Sequence, residues 1–83
     1  MFYVYIIYSK KLDRFYVGHT EDLQQRLIQH NSGISTYTAK ATDWVMEYSC
    51  EFNSREQALK RELEIKKKKS RKYVEWLISA KNS

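Results

Sequence analysis

The chain has 83 residues, with 15 lysines and arginines against 10 aspartates and glutamates, a formal net charge of +5 and a single cysteine. This length predicts one domain, residues 1–83, which buries only about 60–65% of the surface that the unfolded chain exposes. The lone Cys50 excludes an internal disulfide and a cysteine metal cluster, as is typical of a reducing compartment. The longest apolar run is too short to span a bilayer, and nothing resembles a secretory leader. We therefore expect a cytoplasmic protein with no membrane partner.

The N-terminal part of the sequence predicts a β-hairpin followed by a helix. Residues 2–8 are β-branched and aromatic, and both alternating sets are apolar, which indicates a central strand covered on both faces. The short connector makes residues 15–19 the antiparallel partner. Thr20 is the expected N-cap of the first helix, which should end at about His30, before an Asn-Ser-Gly stop signal.

The C-terminal part predicts a third strand and two more helices. Residues 34–42 are rich in hydroxyl side chains and indicate a loop, and residues 44–52 have the pattern of a strand. A capping box at residues 54–57 opens a second helix that continues through the lysine run, and Ser70 is the expected N-cap of a final short helix. The order ββαβαα predicts an α+β fold in which a three-stranded antiparallel sheet is flanked by helices.

Basic residues are concentrated in residues 66–72, which hold six of them with no acidic residue between. Such a cluster favours a polyanionic partner, nucleic acid before an acidic membrane. A solvated helix end that complements the helix dipole is the alternative. In the loop 34–42, Tyr37 and Lys40 could contact a nucleic acid, or the segment could be a flexible surface loop. The candidate nucleic-acid contacts are His19, Lys40, Lys66, Lys67, Lys69 and Arg71.

Glu62 falls within the apolar sector of the second predicted helix. A carboxylate in such a place must be paired, protonated or bound to a cation. It could form a buried ion pair with Lys66 one turn later, or reach solvent at the edge of the core. It could also be a metal-binding or acid/base carboxylate at the floor of a cleft. The apolar sector around it consists of Ala58, Leu59, Leu63 and Ile65.

The first helix places Arg26 and His30 one turn apart beside its core face. Together they could bind and protonate a phosphate. They could equally be a surface pair whose aliphatic parts cover the edge of the sheet. The expected core residues of this helix are Leu23, Leu27 and Ile28.

Two groups of aromatic residues can be interpreted either as core or as functional side chains. Tyr5 and Tyr16 lie in the predicted hairpin, where their hydroxyls could come together, although an ordinary aromatic core is the alternative. In so small a chain we expect the core to include Trp44, Tyr73 and Trp76. If they are exposed instead, they could anchor a protein partner.

Four segments resemble the GIY-YIG nuclease domain, of the small stand-alone bacterial type. They are YVY at 3–5, YVG at 16–18, DLQQRLIQHNSG at 22–33 and REQALKRELEIKKKKS at 55–70. The resemblance covers almost the whole chain. It implies an endonuclease that hydrolyses phosphodiester bonds in DNA, in repair or recombination, with Mg²⁺ or Mn²⁺ as cofactor.

Residue by residue, the resemblance implies an active site. Tyr5 and Tyr16 match the family's two motif tyrosines, which flank the scissile phosphate, and one of them helps to deprotonate the attacking water. Arg26 matches the arginine that stabilises charge on the phosphoryl oxygens. His30 stands where relatives place a supporting histidine or tyrosine. Glu62 matches the glutamate that holds a single divalent cation, an arrangement that suits magnesium, which keeps its waters and binds substrate oxygens.

Other positions follow or depart from the family pattern. Gly18 matches the glycine that lets the backbone turn beneath the site, and His19 follows it where some relatives have a basic side chain. The first tripeptide, residues 3–5, lacks the usual glycine. The asparagine that many members carry after the glutamate helix is absent from residues 66–76, where Ser70 is the nearest small polar residue.

Three functions follow from these observations. The first is a magnesium-dependent DNA endonuclease acting on branched, flapped or single-stranded substrates. The second, motivated by the missing asparagine and the basic run, is a nucleic-acid-binding module without turnover. The third is an adaptor that docks a larger repair factor through exposed aromatic side chains.

Overall fold

The computed structural model describes residues 1–34 and 38–82, with the backbone alone for the last of them. Within these residues the elements follow one another in the predicted order ββαβαα, and the predicted fold is confirmed. No helix in the described ranges is long and apolar enough to cross a membrane. The elements are β1 (Phe2–Ser9), β2 (Arg14–Thr20), α1 (Leu23–Asn31), β3 (Trp44–Phe52), α2 (Arg55–Lys68) and α3 (Arg71–Asn82).

The sheet has the strand order β2-β1-β3, and both pairings are antiparallel. The central position of β1 confirms the expectation drawn from its two apolar faces. In the hairpin, Tyr5 lies opposite Gly18 and Ile7 lies opposite Tyr16. Because β2 is an edge strand, side chains from both faces of the sheet can meet at its outer side.

Successive side chains of β1 point to opposite faces and create two apolar clusters. The helix α1 covers one face, and α2 and α3 cover the other. The first cluster contains Tyr5, Ile7, Ala41 and Trp44, with Tyr16, Leu23 and Leu27 packed against it. The second contains Val4, Ile6, Val17, Ala58, Ile65, Val74 and Leu77.

The helices α1 and α2 present the same spacing to the sheet, at positions i, i+4 and i+7. In each helix one position of this inward stripe is polar. The stripes are Leu23, Leu27 and His30 in α1, and Ala58, Glu62 and Ile65 in α2.

Four side chains expected in the core are exposed instead, so these predictions were wrong. Each follows or precedes an inward-facing residue directly, and a helix turns by about 100° per residue, which takes the neighbour out of the interface. Hydrophobicity alone favoured these residues over the histidine and glutamate that the helices bury. They are Ile28 (66% exposed), Leu59 (40%), Leu63 (55%) and Trp76 (61%).

The first helix begins later than predicted. Thr20 is the last residue of β2, paired with Tyr3, and is not the N-cap. Asp22 takes that position, and its carboxylate accepts a hydrogen bond from the Gln25 backbone at 3.0 Å. The Thr20 hydroxyl accepts a bond from the Asp22 N–H at 3.1 Å, which shapes the turn between strand and helix.

The two serine caps are confirmed. Ser54 accepts a hydrogen bond from the Gln57 N–H at 3.2 Å, and Ser70 accepts one from the Tyr73 N–H at 3.1 Å. The helix α2 does not run through the whole lysine cluster, because it ends at Lys68 and the next residue adopts a left-handed conformation with φ of 48°.

Candidate active site

Tyr5 reaches towards the edge of the sheet across Gly18. A Cβ added at Gly18 would lie 2.5 Å from the phenol oxygen of Tyr5 and 2.7 Å from its Cζ. Gly18 lies within the paired part of β2, so it does not form a turn; the close approach requires the absence of a side chain.

The hydroxyl of Tyr5 is the centre of a buried hydrogen-bond network. It lies 2.8 Å from Nε2 of His30 and accepts a longer bond, 3.4 Å, from Nε of Arg26. The other nitrogen of His30 lies 2.7 Å from the hydroxyl of Thr38. Tyr5 is 1% exposed and His30 is fully buried, so the surface alternative for His30 does not hold. It contacts Tyr5 directly and is shielded from solvent.

Burial also fixes the protonation of this network. It raises the pKa of Tyr5 to about 12, although the Arg26 guanidinium acts in the opposite direction. Burial, reinforced by the charge of Arg26, lowers the pKa of His30 to about 4. At neutral pH the phenol is therefore protonated and the imidazole is neutral, and Arg26 carries the charge of the group.

Tyr16 lies beside this network on the same face of the sheet. Its ring centroid is 5.0 Å from that of His30 and 6.5 Å from that of Tyr5. The ring is half-buried, and the ammonium group of Lys66 lies 5.6 Å from its centroid. Tyr16 therefore connects the tyrosine network to the helix α2.

Glu62 approaches β2 from the opposite face. It is 7% exposed, and both of its oxygens are engaged by basic side chains. Oε1 lies 2.5 Å from Nδ1 of His19, and Oε2 lies 2.6 Å from Nζ of Lys66. The ion pair with Lys66 that the sequence left open is present, and His19 adds a partner that the sequence did not indicate.

The side chain of Lys66 links the two halves of the site. It is 44% exposed, contacts the carboxylate of Glu62 and lies over the ring of Tyr16. The carboxylate and the tyrosine network thus meet at the edge strand, with Gly18 and His19 between them.

The surroundings of Glu62 fit a single-carboxylate cation site. Its carboxylate is nearly buried at the edge strand, and a cation would bind there in place of the half-exposed Lys66 ammonium. Among residues 1–34 and 38–82, no cluster of three histidine, cysteine, aspartate or glutamate side chains could hold a metal ion. A bound magnesium ion would depend on Glu62, water and substrate oxygens, which is its usual preference.

The predicted nucleic-acid contacts lie on the surface but differ in their pairing. Lys40, Lys67 and Lys69 are exposed. Arg71 is exposed too, but its guanidinium is bonded to Asp13 at 2.7 Å, with Glu75 at 3.4 Å, so much of its charge is paired within the protein. An open cleft of about 800 Å³ lies between β2 and the α2–α3 turn, lined by Arg14, Lys66, Lys69 and Arg71 among others.

The sequence did not single out two side chains that position the network. Thr38 is fully buried and bonded to His30, and Gln29 accepts a hydrogen bond from Arg26 at 2.9 Å. Residues 38–42 of the predicted loop have no helix or strand, and within them Thr38 and Ala41 are buried while Ala39, Lys40 and Thr42 are exposed. The predicted contact at Tyr37 lies outside the described residues. Ser70 caps α3 and takes no part in the network.

Comparison with known proteins gives consistent matches along the chain. The family model of the GIY-YIG catalytic domain matches residues 1–74. A UPF0213 protein of Staphylococcus saprophyticus is 37% identical over 65 residues, covering 77% of this chain and 78% of its own. A UPF0213 protein of Halobacterium salinarum is 34% identical over 67 residues, covering 80% and 86%.

A solved structure also matches. The solution NMR structure of a UPF0213 protein from Bacillus halodurans superposes with a TM-score of 0.60 at 35% sequence identity. The match covers 98% of this chain and 86% of that one.

Proposed function

The chain belongs to the GIY-YIG catalytic-domain family, and from this premise we propose that it is a divalent-metal-dependent endonuclease that hydrolyses phosphodiester bonds in DNA. One observation carries the proposal. Two tyrosines, an arginine and a nearly buried carboxylate lie around the same edge strand, beside a glycine whose missing side chain makes room for Tyr5.

Each side chain has a task that its surroundings support. Arg26 lies on the solvent side of the buried network and keeps a permanent charge, so it can stabilise the phosphoryl oxygens as negative charge develops. His30 is neutral and buried, so we assign it to positioning Tyr5. Glu62 would hold Mg²⁺ or Mn²⁺, which when bound supplies Lewis-acid stabilisation of phosphate oxygens.

The two tyrosines differ in their burial and in their neighbours. The pKa of Tyr5 is raised to about 12 by burial, so its hydroxyl stays protonated at neutral pH and acts as a hydrogen-bonding group. Tyr16 is half-buried and lies beneath the Lys66 ammonium. We therefore assign to Tyr16 the contact with the attacking water: its hydroxyl oxygen takes up the proton of that water as its own hydroxyl proton passes to solvent.

The substrate follows from the charge of the surface. Lys66, Lys67 and Lys69 lie near the end of α2, and contacts of this kind bind the phosphate backbone with little selectivity for base sequence. A cytoplasmic role in DNA repair or recombination, on branched, flapped or single-stranded DNA, fits weak and salt-dependent binding of this kind.

A cleavage assay tests the proposal. Wild-type protein and the variant Glu62→Gln are incubated with labelled branched, flapped and single-stranded DNA, with Mg²⁺ or with a chelator. The wild type should give products only with Mg²⁺, and Glu62→Gln should give none. The matched control is Glu56→Gln, an exposed glutamate on the same helix, which should cut like the wild type. Equal products from wild type and Glu62→Gln would mean that another nuclease is responsible.

Two observations favour a second function, a nucleic-acid-binding module without turnover. Both oxygens of Glu62 are engaged by His19 and Lys66, and the family's asparagine is absent from residues 66–76. This function requires DNA affinity that falls steeply with salt, without a metal-dependent product at any protein concentration.

A further inference from the structure

Trp76 stands out on the surface of α3. Its side chain is 61% exposed, whereas Trp44, the other tryptophan, is 3% exposed. The Trp76 ring stacks on Tyr73, with centroids 6.0 Å apart and planes inclined by 25°. A single exposed apolar residue is ordinary, but a stacked aromatic pair offers a flat face for another ring.

Basic side chains surround this aromatic pair. The ammonium of Lys68 lies 5.4 Å from the centroid of Tyr73, and the guanidinium of Arg61 lies 6.0 Å from it. A shallow cavity of about 580 Å³ between α2 and α3 is lined by Arg61, Glu64, Lys67, Lys68 and Tyr73. Lys72, which is exposed, precedes Trp76 by one helical turn. Glu64, the acidic side chain of the cavity, is paired with Arg61 at 3.9 Å.

The combination points to unpaired nucleotides. Proteins that bind single strands use aromatic faces for the bases and basic side chains for the phosphates. A duplex keeps its base faces stacked inside and cannot use such a surface. Docked protein interfaces place few lysines at their core, so the lysines around this pair argue against a protein partner here. We propose that Trp76 and Tyr73, with Lys68 and Lys72, form a second binding site for single-stranded nucleic acid, in which a base stacks on Trp76.

The lysine cluster connects this site with the candidate active site. Lys66 faces Glu62 and Tyr16, whereas Lys67 and Lys68 line the cavity beside Tyr73. These three consecutive residues turn around the last part of α2, within about 5 Å along its axis. A strand leaving the active site can therefore cross the end of α2 to reach Trp76. The inference rests on the proposed function only in taking nucleic acid as the ligand, and it requires no cleavage.

Tryptophan fluorescence tests the site directly. The full chain is titrated with a thymidine oligonucleotide in the presence of a chelator, and with a duplex of equal total charge. The single strand should quench the emission, and Trp76→Phe, which leaves only the buried Trp44, should not respond. Because stacking of one base contributes about 1–3 kcal/mol, Trp76→Ala should weaken binding of the oligonucleotide by about 5- to 150-fold.

Two controls separate this inference from others. Ile28→Ala removes an apolar side chain of similar exposure, 66%, on α1 and should leave the affinity unchanged. The chelator is the second control: it prevents metal-dependent cleavage during the titration, so the fluorescence response is measured whether or not the wild type cleaves DNA. Quenching without any cleavage would refute the nuclease but support this site, and cleavage without quenching would do the opposite.

Three results would overturn the inference. Trp76→Ala could bind the oligonucleotide as tightly as the wild type. The duplex could quench as strongly as the single strand, which would indicate backbone binding alone. The chain could also sediment as a dimer that Trp76→Ala dissociates, which would assign the surface to a second copy of the protein.

Discussion

Replacing Gly18 by alanine tests the contact on which the position of Tyr5 depends. The added Cβ would lie 2.5 Å from the phenol oxygen and 2.7 Å from Cζ, and real carbon atoms do not approach so closely. Tyr5 is 1% exposed and bonded to His30 at 2.8 Å, so its ring cannot move away without losing a buried hydrogen bond.

The cost follows from this geometry. Overpacking of a core costs about 1–3 kcal/mol, and we expect the free energy of unfolding of Gly18→Ala to fall by about 2 kcal/mol. For a domain of this size, that lowers Tm by about 8–16 °C, which circular dichroism during heating would measure. DNA cleavage should fall as well, because a displaced Tyr5 no longer supports Arg26.

A double-mutant cycle separates this contact from a general effect. In a Tyr5→Leu background, which removes both clashing atoms, Gly18→Ala should cost much less. The other glycine, Gly33, provides the control: its φ is +80° and an added Cβ meets open space. Gly33→Ala should cost about 1 kcal/mol from backbone strain in either background. A Gly18→Ala protein as stable as the wild type, or equally destabilised in both backgrounds, would refute the reasoning.

Three further predictions concern the same network. The pKa of His30 is about 4 in the folded protein and 6.5 ordinarily, so the unfolded chain binds more protons between these pH values. The free energy of unfolding, measured by urea titration, should therefore fall as the pH drops from 6.5 to 4. In the His30→Gln variant it should fall less steeply. Lys66→Met removes the half-exposed ammonium group that competes with a cation for Glu62. Because the Glu62–Lys66 ion pair contributes up to about 1 kcal/mol, calorimetry should show Mg²⁺ binding up to about fivefold tighter. Weaker Mg²⁺ binding would contradict this prediction. Tyr16→Phe should lower the cleavage rate more than Tyr5→Phe, and the reverse order in single-turnover kinetics would exchange their roles.

The fold was predictable because each element carries its own signal. The two apolar sets of β1 identified a central strand, and the serines at 54 and 70 identified two helix starts. The start of α1 could not be predicted from the sequence, because Thr20 and Asp22 are both good capping residues. Only the strand pairing of Thr20 decides between them.

The inward faces of the helices were harder to predict. Glu62 and His30 lie on the stripes that pack on the sheet, while Leu63 is 55% exposed. A hydrophobic pattern favours burial of leucine over burial of glutamate. The glutamate is buried instead because other elements supply partners for its carboxylate, as they do for the imidazole of His30. Those partners, His19 on β2 and Thr38 before β3, are distant in sequence and leave no periodic signal.

The candidate site was predictable from the residue types at the family's positions, but its connections were not. The resemblance named Tyr5, Tyr16, Arg26 and Glu62, and the structure places the first three in contact on one face of the sheet. The resemblance did not indicate that the carboxylate of Glu62 approaches from the opposite face of the sheet. It also did not indicate that Lys66 contacts both this carboxylate and the ring of Tyr16. Side-chain alternation along an edge strand creates this arrangement, and it depends on the register of the hairpin.

The central claim is that one cation binds at Glu62, beside the tyrosine and arginine network. Titration of the ¹⁵N-labelled protein with Mn²⁺, whose unpaired electrons broaden nearby NMR signals, tests it most directly. Broadening should begin at Gly18, His19 and Glu62, reach Tyr5 next, and disappear in the Glu62→Gln variant. Broadening centred on another carboxylate, such as the exposed Glu51 of β3, with the signals around Glu62 unchanged, would contradict the account.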